Sequence, residues 1–284
     1  MAIKRVGIVG SGIMGSGIAE VAAKSGFEVV LRSRAQSTAD AMVAGLEKSL
    51  AKQVERGKIG AADRDAALAR VRAVSDLGEL AECDLVIESV VEDLDTKKQL
   101  FTDLDRICGD GAILATNTST LPVVEMAMVT GRPDKVCGIH FFNPAPMMAL
   151  VEVVRAITSS DETIAEATAF ATACGKNPVR VRDQAGFIVN ALLFPYLNNA
   201  VRLLDAGVAT RDDIDAAMKG GCNFPMGPLE LLDLVGLDTS LAILEALYAE
   251  FKDPNYAPAP LLRRMVSAER LGRKTGVGFY DYRK

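Results

Sequence analysis

Short apolar runs alternate with amphipathic stretches over the first two thirds of the chain. Runs such as "RVGIV" (5–9) and "DLVIESV" (84–90) predict buried strands, and the stretches between them have the 3.6-residue period of helices. Strands that alternate with helices indicate a largely parallel sheet covered on both faces. The strand signals end near "RDQAG" (182–186), after which the pattern is helical. The pattern therefore predicts an α/β domain over residues 1–184, followed by an all-α domain over residues 185–284.

Residues 35–70 interrupt this alternation. Two amphipathic segments follow one another there, joined by the turn signal "RGKIG" (56–60), with no strand between them. This arrangement predicts a helix pair inserted after the second strand of the sheet.

A glycine-rich motif joins the first strand to the first helix. Gly10, Gly12 and Gly15 form GxGxxG, with Ile13 and Met14 between the last two glycines. In a strand–turn–helix context these glycines permit a tight turn, close approach of a pyrophosphate to the backbone and close helix packing. The helix N-terminus adds free N–H groups for phosphates. The motif predicts a Rossmann-type domain that binds a dinucleotide, with these five residues in the site.

The end of the second strand bears on the choice between NAD(H) and NADP(H). No acidic residue follows that strand to hydrogen-bond the adenosine ribose; Arg32, Ser33 and Arg34 stand there instead. Guanidinium and hydroxyl groups suit a 2′-phosphate better than a carboxylate does. This loop favours NADP(H). The alternative is that both arginines are solvated surface charges and the site takes NAD(H).

His140 is the only histidine of the chain and lies near the end of the predicted strand "KVCGIHFF". Ligands of open α/β sheets bind at that end of the strands. Twelve residues later, Glu152 lies within the apolar run "ALVEVV", where a carboxylate needs a partner. A carboxylate on one imidazole nitrogen leaves the other free to exchange a proton with a substrate hydroxyl. The alternative is a structural histidine and an incidental strand glutamate.

Other polar side chains lie in apolar surroundings or at predicted strand ends. They could hydrogen-bond a reacting oxygen or the cofactor, although each could instead cap a helix or bond internally. They are Asn117, Ser119, Asn143 and Asn190.

Composition excludes several other classes of function. The net charge of −5 disfavours nucleic-acid binding, which needs clustered Lys and Arg. The five cysteines are far apart and form no CxxC, which argues against a metal site and for reduced thiols in the cytoplasm. No apolar run is long enough to predict a membrane-spanning helix.

Several longer motifs then make the chain recognisable. In order, "VGIVGSGIMGSGIAE", "TNTSTLP", "HFFNPAPMMALVEVV" and "FPMGPLELLDLVGLD" run through most of its length. With these motifs the sequence resembles the 3-hydroxyacyl-CoA dehydrogenase family, and most closely its stand-alone bacterial 3-hydroxybutyryl-CoA dehydrogenases.

The resemblance implies roles for individual residues. The family's catalytic pair matches His140 and Glu152, and its ligands of the substrate oxygen match Ser119 and Asn190. A further active-site asparagine matches Asn143. The remaining matches are Glu92 and Lys97 near the nicotinamide ribose, and Lys52 and Arg56 as contacts of CoA on the inserted helices.

The resemblance also implies an activity and an assembly. The expected reaction is reversible oxidation of a short (S)-3-hydroxyacyl-CoA, such as 3-hydroxybutyryl-CoA, to the 3-ketoacyl-CoA by a homodimer formed through the C-terminal helices. Two alternatives stay open: a dehydrogenase of a free hydroxy acid or sugar acid, and a dinucleotide-binding redox sensor without catalysis. Two positions depart from the family pattern: Ser33 replaces a common Asp, and Val277 a frequent Lys.

Overall fold

The computed structural model describes residues 3–283 and divides into two compact units. The first unit ends at Asp183 and the second begins at Gln184. The first is built around a β-sheet and the second is made of helices. This architecture confirms the predicted fold class, a Rossmann-type α/β domain followed by an all-α domain.

Eight strands form one sheet in the first unit. Their order across the sheet is β3-β2-β1-β4-β5-β6-β7-β8, and every neighbouring pair is parallel except β6 and β7. The strands are β1 Arg5–Val9, β2 Glu28–Arg32, β3 Val71–Val74, β4 Leu85–Glu88, β5 Ile113–Thr116, β6 Val136–Phe141, β7 Leu150–Arg155 and β8 Asn177–Arg182.

The central strands are buried on both faces, which explains their largely apolar sequences. Every residue of β4, β5 and β6 is buried. The strand order reverses between β1 and β4, so the carboxyl ends of these two strands flank the position where open α/β sheets bind their ligands.

Six helices belong to the first unit. The segment after β2 forms two consecutive helices, so the prediction of an inserted helix pair is confirmed. The six helices are α1 Ile13–Lys24, α2 Gln36–Glu55, α3 Ala61–Ala69, α4 Leu94–Ile107, α5 Val123–Ala127 and α6 Asp161–Ala173.

Five helices follow in the second unit. The apolar stretch after residue 227 is divided in two, because Gly236 adopts a φ of 102° that ends one helix and begins the next. A further short helix near the C-terminus begins at Pro260, a residue favoured at the first position of a helix. The five are α7 Val189–Asp205, α8 Arg211–Cys222, α9 Pro228–Val235, α10 Leu237–Phe251 and α11 Pro260–Ser267.

All five cysteines are free thiols, and four of them are buried. Burial raises the pKa of Cys83, Cys137 and Cys174 to about 12 and that of Cys108 to about 11. Cys222, the last residue of α8, is exposed. Within residues 3–283, no helix has the length and apolar character needed to cross a membrane.

Candidate active site

The glycine-rich turn between β1 and α1 has the shape that a dinucleotide requires. Gly10 has a φ of +132°, and a Cβ at this position would lie 2.1 Å from the carbonyl oxygen of Ser89. A Cβ on Gly15 would lie 2.3 Å from the carbonyl oxygen of Gly10, whereas nothing lies within 4 Å of a Cβ on Gly12. Gly10 and Gly15 therefore serve the turn itself, while Gly12 faces open space.

The start of α1 is a free anion-binding position. Gly12 is the N-cap, no side chain caps the helix, and its first turn contains no acidic residue. The backbone N–H groups and the positive end of the helix dipole thus face outward beside Gly12, where a pyrophosphate fits. The residues present suit a dinucleotide, with Ile13 exposed and Met14 half-buried next to the turn.

A cleft of about 490 Å³ extends from the glycine turn along the inserted helix α2. Its other wall is the turn at residues 144–146, which follows β6. The cleft therefore connects the glycine turn with the segment that carries His140. Its lining is mostly apolar or small, except for Glu20, whose buried carboxylate accepts hydrogen bonds from Ser49 and Gln53.

The residues after β2 combine two positive charges with one buried hydroxyl. Arg32 is half-buried and its Nε donates to the carbonyl oxygen of Ser75 at 3.1 Å. Burial, together with the charge of Arg34, lowers the pKa of Arg32. Ser33 is buried and Arg34 is exposed. Two guanidinium groups close enough to affect each other's ionisation form a positive region at the edge where the adenosine of a dinucleotide binds.

His140 and Glu152 form a buried pair across two neighbouring strands. They stand opposite one another in the antiparallel register of β6 and β7, so their side chains project from the same face. The Nδ1 of His140 lies 2.7 Å from Oε2 of Glu152, and the glutamate side chain is fully buried. The imidazole also stacks at a tilt on Phe142, with 4.5 Å between ring centroids. The contact expected from the sequence is present, and it fixes which imidazole nitrogen faces the carboxylate.

The loop after β5 is held on both sides by side-chain hydrogen bonds. Asn117 accepts a bond from the backbone N–H of Phe141 at 2.8 Å, which ties the loop to the end of β6. Glu92, from the loop after β4, accepts bonds from the Thr118 hydroxyl and from the Ser119 backbone N–H. The Ser119 side chain has no such constraint from Glu92 and remains partly exposed.

A buried ion pair lies beneath this loop. The Lys97 ammonium lies 2.7 and 2.8 Å from the two oxygens of Glu88 and 3.1 Å from Glu92 Oε2. Glu88 also accepts bonds from the Thr116 hydroxyl and from the Val90 backbone N–H. Glu88 is a buried residue of this region that was not predicted from the sequence. The signal that identified Glu152, a carboxylate within an apolar strand, was also present in "DLVIESV".

The remaining candidates are distributed over both units. Asn143 is exposed just after β6, and Lys52 and Arg56 are exposed one turn apart at the end of α2. Asn190 belongs to the second unit, where it is buried in the first turn of α7. No group of three or more metal-ligating side chains occurs among residues 3–283.

Family models match nearly the whole of the chain. The model of the 3-hydroxyacyl-CoA dehydrogenase NAD-binding domain covers residues 5–184, and that of the family's C-terminal domain covers residues 186–282. The chain belongs to the 3-hydroxyacyl-CoA dehydrogenase family. The resemblance noted in the sequence is thereby confirmed, and the cofactor of this family member is a nicotinamide dinucleotide.

Individual members of the 3-hydroxyacyl-CoA dehydrogenase family are similar over their full length. A 3-hydroxybutyryl-CoA dehydrogenase of Mycobacterium tuberculosis is 48% identical over 99% of both chains, and one of Clostridioides difficile is 47% identical over 99% of this chain and 100% of its own. The crystal structure of (S)-3-hydroxybutyryl-CoA dehydrogenase from Ralstonia eutropha has a TM-score of 0.97 at 44% identity, with complete coverage of both chains.

Proposed function

We propose that this protein interconverts short-chain (S)-3-hydroxyacyl-CoA, with 3-hydroxybutyryl-CoA as the favoured substrate, and the corresponding 3-ketoacyl-CoA. The observation that carries the proposal is the buried pair of His140 and Glu152 at the carboxyl end of β6. A redox sensor would not need a histidine held in one orientation beside a dinucleotide site. The names of the full-length relatives support the same substrate class.

The protein's own residues handle the proton of the reaction. Glu152 accepts from Nδ1 of His140 and orients the ring, which leaves Nε2 as the nitrogen that exchanges protons with substrate. In oxidation, Nε2 takes the proton of the C3 hydroxyl while the C–H bond breaks and the C=O bond forms. When bound, the nicotinamide ring is the hydride acceptor in oxidation and the hydride donor in reduction. In reduction, the imidazolium returns the proton to the C3 oxygen.

Two side chains are proposed to bind the C3 oxygen. The Ser119 hydroxyl is partly exposed on a loop whose backbone is fixed by Glu92, and Asn190 offers an amide from the second unit. Hydrogen bonds from these groups would favour the negative charge that develops on the oxygen. Asn143, exposed after β6, is proposed as a further contact of substrate and cofactor.

The inserted helices are proposed to bind the CoA part of the substrate. Lys52 and Arg56 are four residues apart at the end of α2, so they share one helix face. Both are exposed, and two cations on one face suit the phosphates of CoA. The cleft is lined by α2 between residues 38 and 49, before Lys52 and Arg56, and by the turn after β6.

The proposed cofactor is NADP(H), with NAD(H) as the alternative. Arg32 and Arg34 supply positive charge where relatives with an acidic residue would exclude a 2′-phosphate, and Ser33 supplies a small side chain.

We also propose a homodimer through the C-terminal helices, because the second unit exposes the large apolar side chains of Leu192, Leu203 and Val208. The free cysteines fit the expected cytoplasmic location.

The deciding experiment follows nicotinamide absorbance with acetoacetyl-CoA, using NADH and NADPH in parallel and acetoacetate as the control substrate. Turnover of acetoacetyl-CoA but not of acetoacetate is the expected result. Equal turnover of both would identify a dehydrogenase of free acids. Binding of dinucleotide without turnover of either would support the sensor and overturn the proposal.

A further inference from the structure

The turn after β6, residues 142–149, joins β6 to β7 and contributes to the proposed site. Asn143 is exposed near its start, and the middle of the turn forms one wall of the cleft along α2. Within the turn, the carbonyl oxygen of Pro144 accepts from the backbone N–H groups of Met147 at 2.9 Å and Met148 at 3.1 Å. Both bonds converge on one carbonyl, so the other carbonyl oxygens of the turn depend on partners outside it.

A buried lysine supplies two of these partners. The Nζ of Lys176 donates to the carbonyl oxygen of Ala145 at 2.6 Å and to that of Met148 at 2.8 Å. Lys176 is only 8% exposed, and burial lowers the pKa of its ammonium. Burying an ammonium against carbonyl oxygens rather than against a carboxylate costs free energy of desolvation. A lysine at this position therefore needs a reason other than stability alone.

Helix α1 also packs against the turn. A Cβ on Gly17 would lie 3.1 Å from the Cβ of Ala145 and 3.3 Å from the Cδ of Pro146. Ala145 is 2% exposed, so its methyl group is fixed against α1 while its carbonyl oxygen is bound by Lys176. The cleft wall is thus held at one residue by two separate contacts.

We propose that Lys176 is a positioning residue, which fixes the turn after β6 so that Asn143 and the cleft wall present a preformed surface to the substrate. Lys176 acts through the backbone of the turn and contacts no reacting atom. The identity of the substrate and the contact made by Asn143 are taken from the proposed function, on which this step rests.

The buried pair of His140 and Glu152 is held by other contacts. β6 and β7 form four register pairs, one of which places His140 opposite Glu152, and β7 forms six register pairs with β8. Loss of the two bonds from Lys176 should therefore loosen the turn and leave the imidazole and the carboxylate in place. The expected signature is a higher KM for acetoacetyl-CoA with little change in kcat, because substrate binding is weakened while the proton transfer is retained.

The test compares two variants of Lys176 with one control. Lys176→Met has a side chain of similar length without a donor, whereas Lys176→Arg returns N–H groups to the site. Lys98→Met is the matched control, because Lys98 pairs with Glu125 at the surface. Steady-state kinetics are measured with acetoacetyl-CoA over a range of pH. If Lys176→Met does not fold, Lys176→Gln replaces it under the same criteria, since Gln keeps two N–H donors on a side chain that is one atom shorter.

Lys176→Met should raise KM about fivefold to tenfold, keep kcat within about twofold of the wild type and retain the wild-type pH profile of kcat. Lys176→Arg should recover most of the wild-type KM, and Lys98→Met should leave it unchanged. A wild-type KM in Lys176→Met would overturn the proposal. So would a loss of kcat/KM that arises entirely from a lower kcat.

A double-mutant cycle tests the connection to Asn143. Asn143→Ala should raise KM in the wild type, and by a smaller factor in Lys176→Met, because the turn no longer holds Asn143 in place there. Equal factors in the two backgrounds would overturn the proposal.

Hydrogen exchange tests the hold on the turn without any turnover. Backbone amides of residues 142–149 should exchange faster in Lys176→Met than in the wild type and in Lys98→Met. Unchanged exchange would overturn the proposal. If the wild type does not turn over acetoacetyl-CoA, the proposed function fails, and this comparison still decides whether Lys176 positions the turn.

Discussion

The side-chain oxygen of Asn117 accepts a hydrogen bond from the backbone N–H of Phe141 at 2.8 Å, which joins the end of β5 to the residue next to His140. This bond lies between the loop that carries Ser119 and the strand that carries the histidine. This amide oxygen therefore contributes to the relative position of these two proposed site residues, together with the pairing of β5 and β6. Replacement of Asn117 by Ala leaves the N–H of Phe141 without that partner.

Asn117→Ala should therefore lower the free energy of unfolding by about 1–3 kcal/mol, as expected for a lost partner of a buried donor. It should also lower kcat with acetoacetyl-CoA. Asn117→Asp retains an acceptor and should recover most of the stability. Urea denaturation and steady-state assays on the two variants check this. If Ala and Asp variants are equally stable, the bond to Phe141 is not what holds the strand end.

The buried pair should govern the chemical step. His140→Ala is expected to reduce kcat by roughly 10²–10⁴, the usual contribution of acid–base catalysis. Glu152→Gln should also reduce kcat, by up to about 10⁴, because the ring loses the carboxylate that fixes its tautomer. The pH profile of kcat/KM should lose the limb present in the wild type. Glu125→Gln changes a surface carboxylate and serves as the control, with turnover expected to stay near the wild-type value. Near-wild-type turnover of His140→Ala would disprove the mechanism.

The glycine turn predicts opposite outcomes for two similar substitutions. Gly12→Ala should fold normally, since nothing lies within 4 Å of the added Cβ, but it should obstruct the pyrophosphate and weaken dinucleotide binding. Gly15→Ala should destabilise the protein, because its Cβ would lie 2.3 Å from the carbonyl oxygen of Gly10. Thermal denaturation and NADH titration of both variants separate the two effects. A Gly12→Ala protein that binds NADH as tightly as the wild type would contradict this view of the turn.

Coenzyme preference should respond to a single carboxylate after β2. Ser33→Asp places a negative charge between Arg32 and Arg34, where it can accept from a ribose hydroxyl and repel a 2′-phosphate. The ratio of kcat/KM for NADH over NADPH should rise at least about tenfold, equivalent to ~1.4 kcal/mol. Ser33→Asn has nearly the same shape without the charge and should shift the ratio much less. If the wild type already prefers NADH strongly, the arginines do not select NADP(H).

The proposed CoA contact can be tested with two substrates that share the reacting group. Lys52→Ala should raise KM for acetoacetyl-CoA by about threefold to tenfold, an effect that weakens as salt screens the phosphates. With acetoacetyl-N-acetylcysteamine, which lacks the nucleotide, the same variant should behave as the wild type. Equal changes in KM for both substrates would mean that Lys52 supports the fold rather than CoA.

Much of the first unit could be predicted from local patterns, because buried parallel strands and amphipathic helices each leave a periodic signal. The reversed direction of β7 was not specified by such a signal. It follows from the turn after β6, which is too short for the crossover that a parallel strand would need. That reversal places Glu152 directly opposite His140, so the pair depends on a feature of topology.

The network around Lys97 shows where sequence patterns are insufficient. A lysine in the first turn of a polar helix is usually exposed, and only the tertiary structure shows that it turns inward to Glu88. Glu88 itself could have been found by the reasoning applied to Glu152. The proposed contribution of Asn190 came from the family resemblance, since an asparagine near a helix start equally fits a cap.

The distribution of cysteines makes the protein suitable for spectroscopic labelling without mutagenesis. Four thiols are buried, with pKa values of about 11 or 12 that leave almost no thiolate at neutral pH. Cys222 is exposed at the end of α8. A maleimide fluorophore or nitroxide should therefore attach at one defined position, on the helical unit, and report on that unit while cofactor and substrate bind.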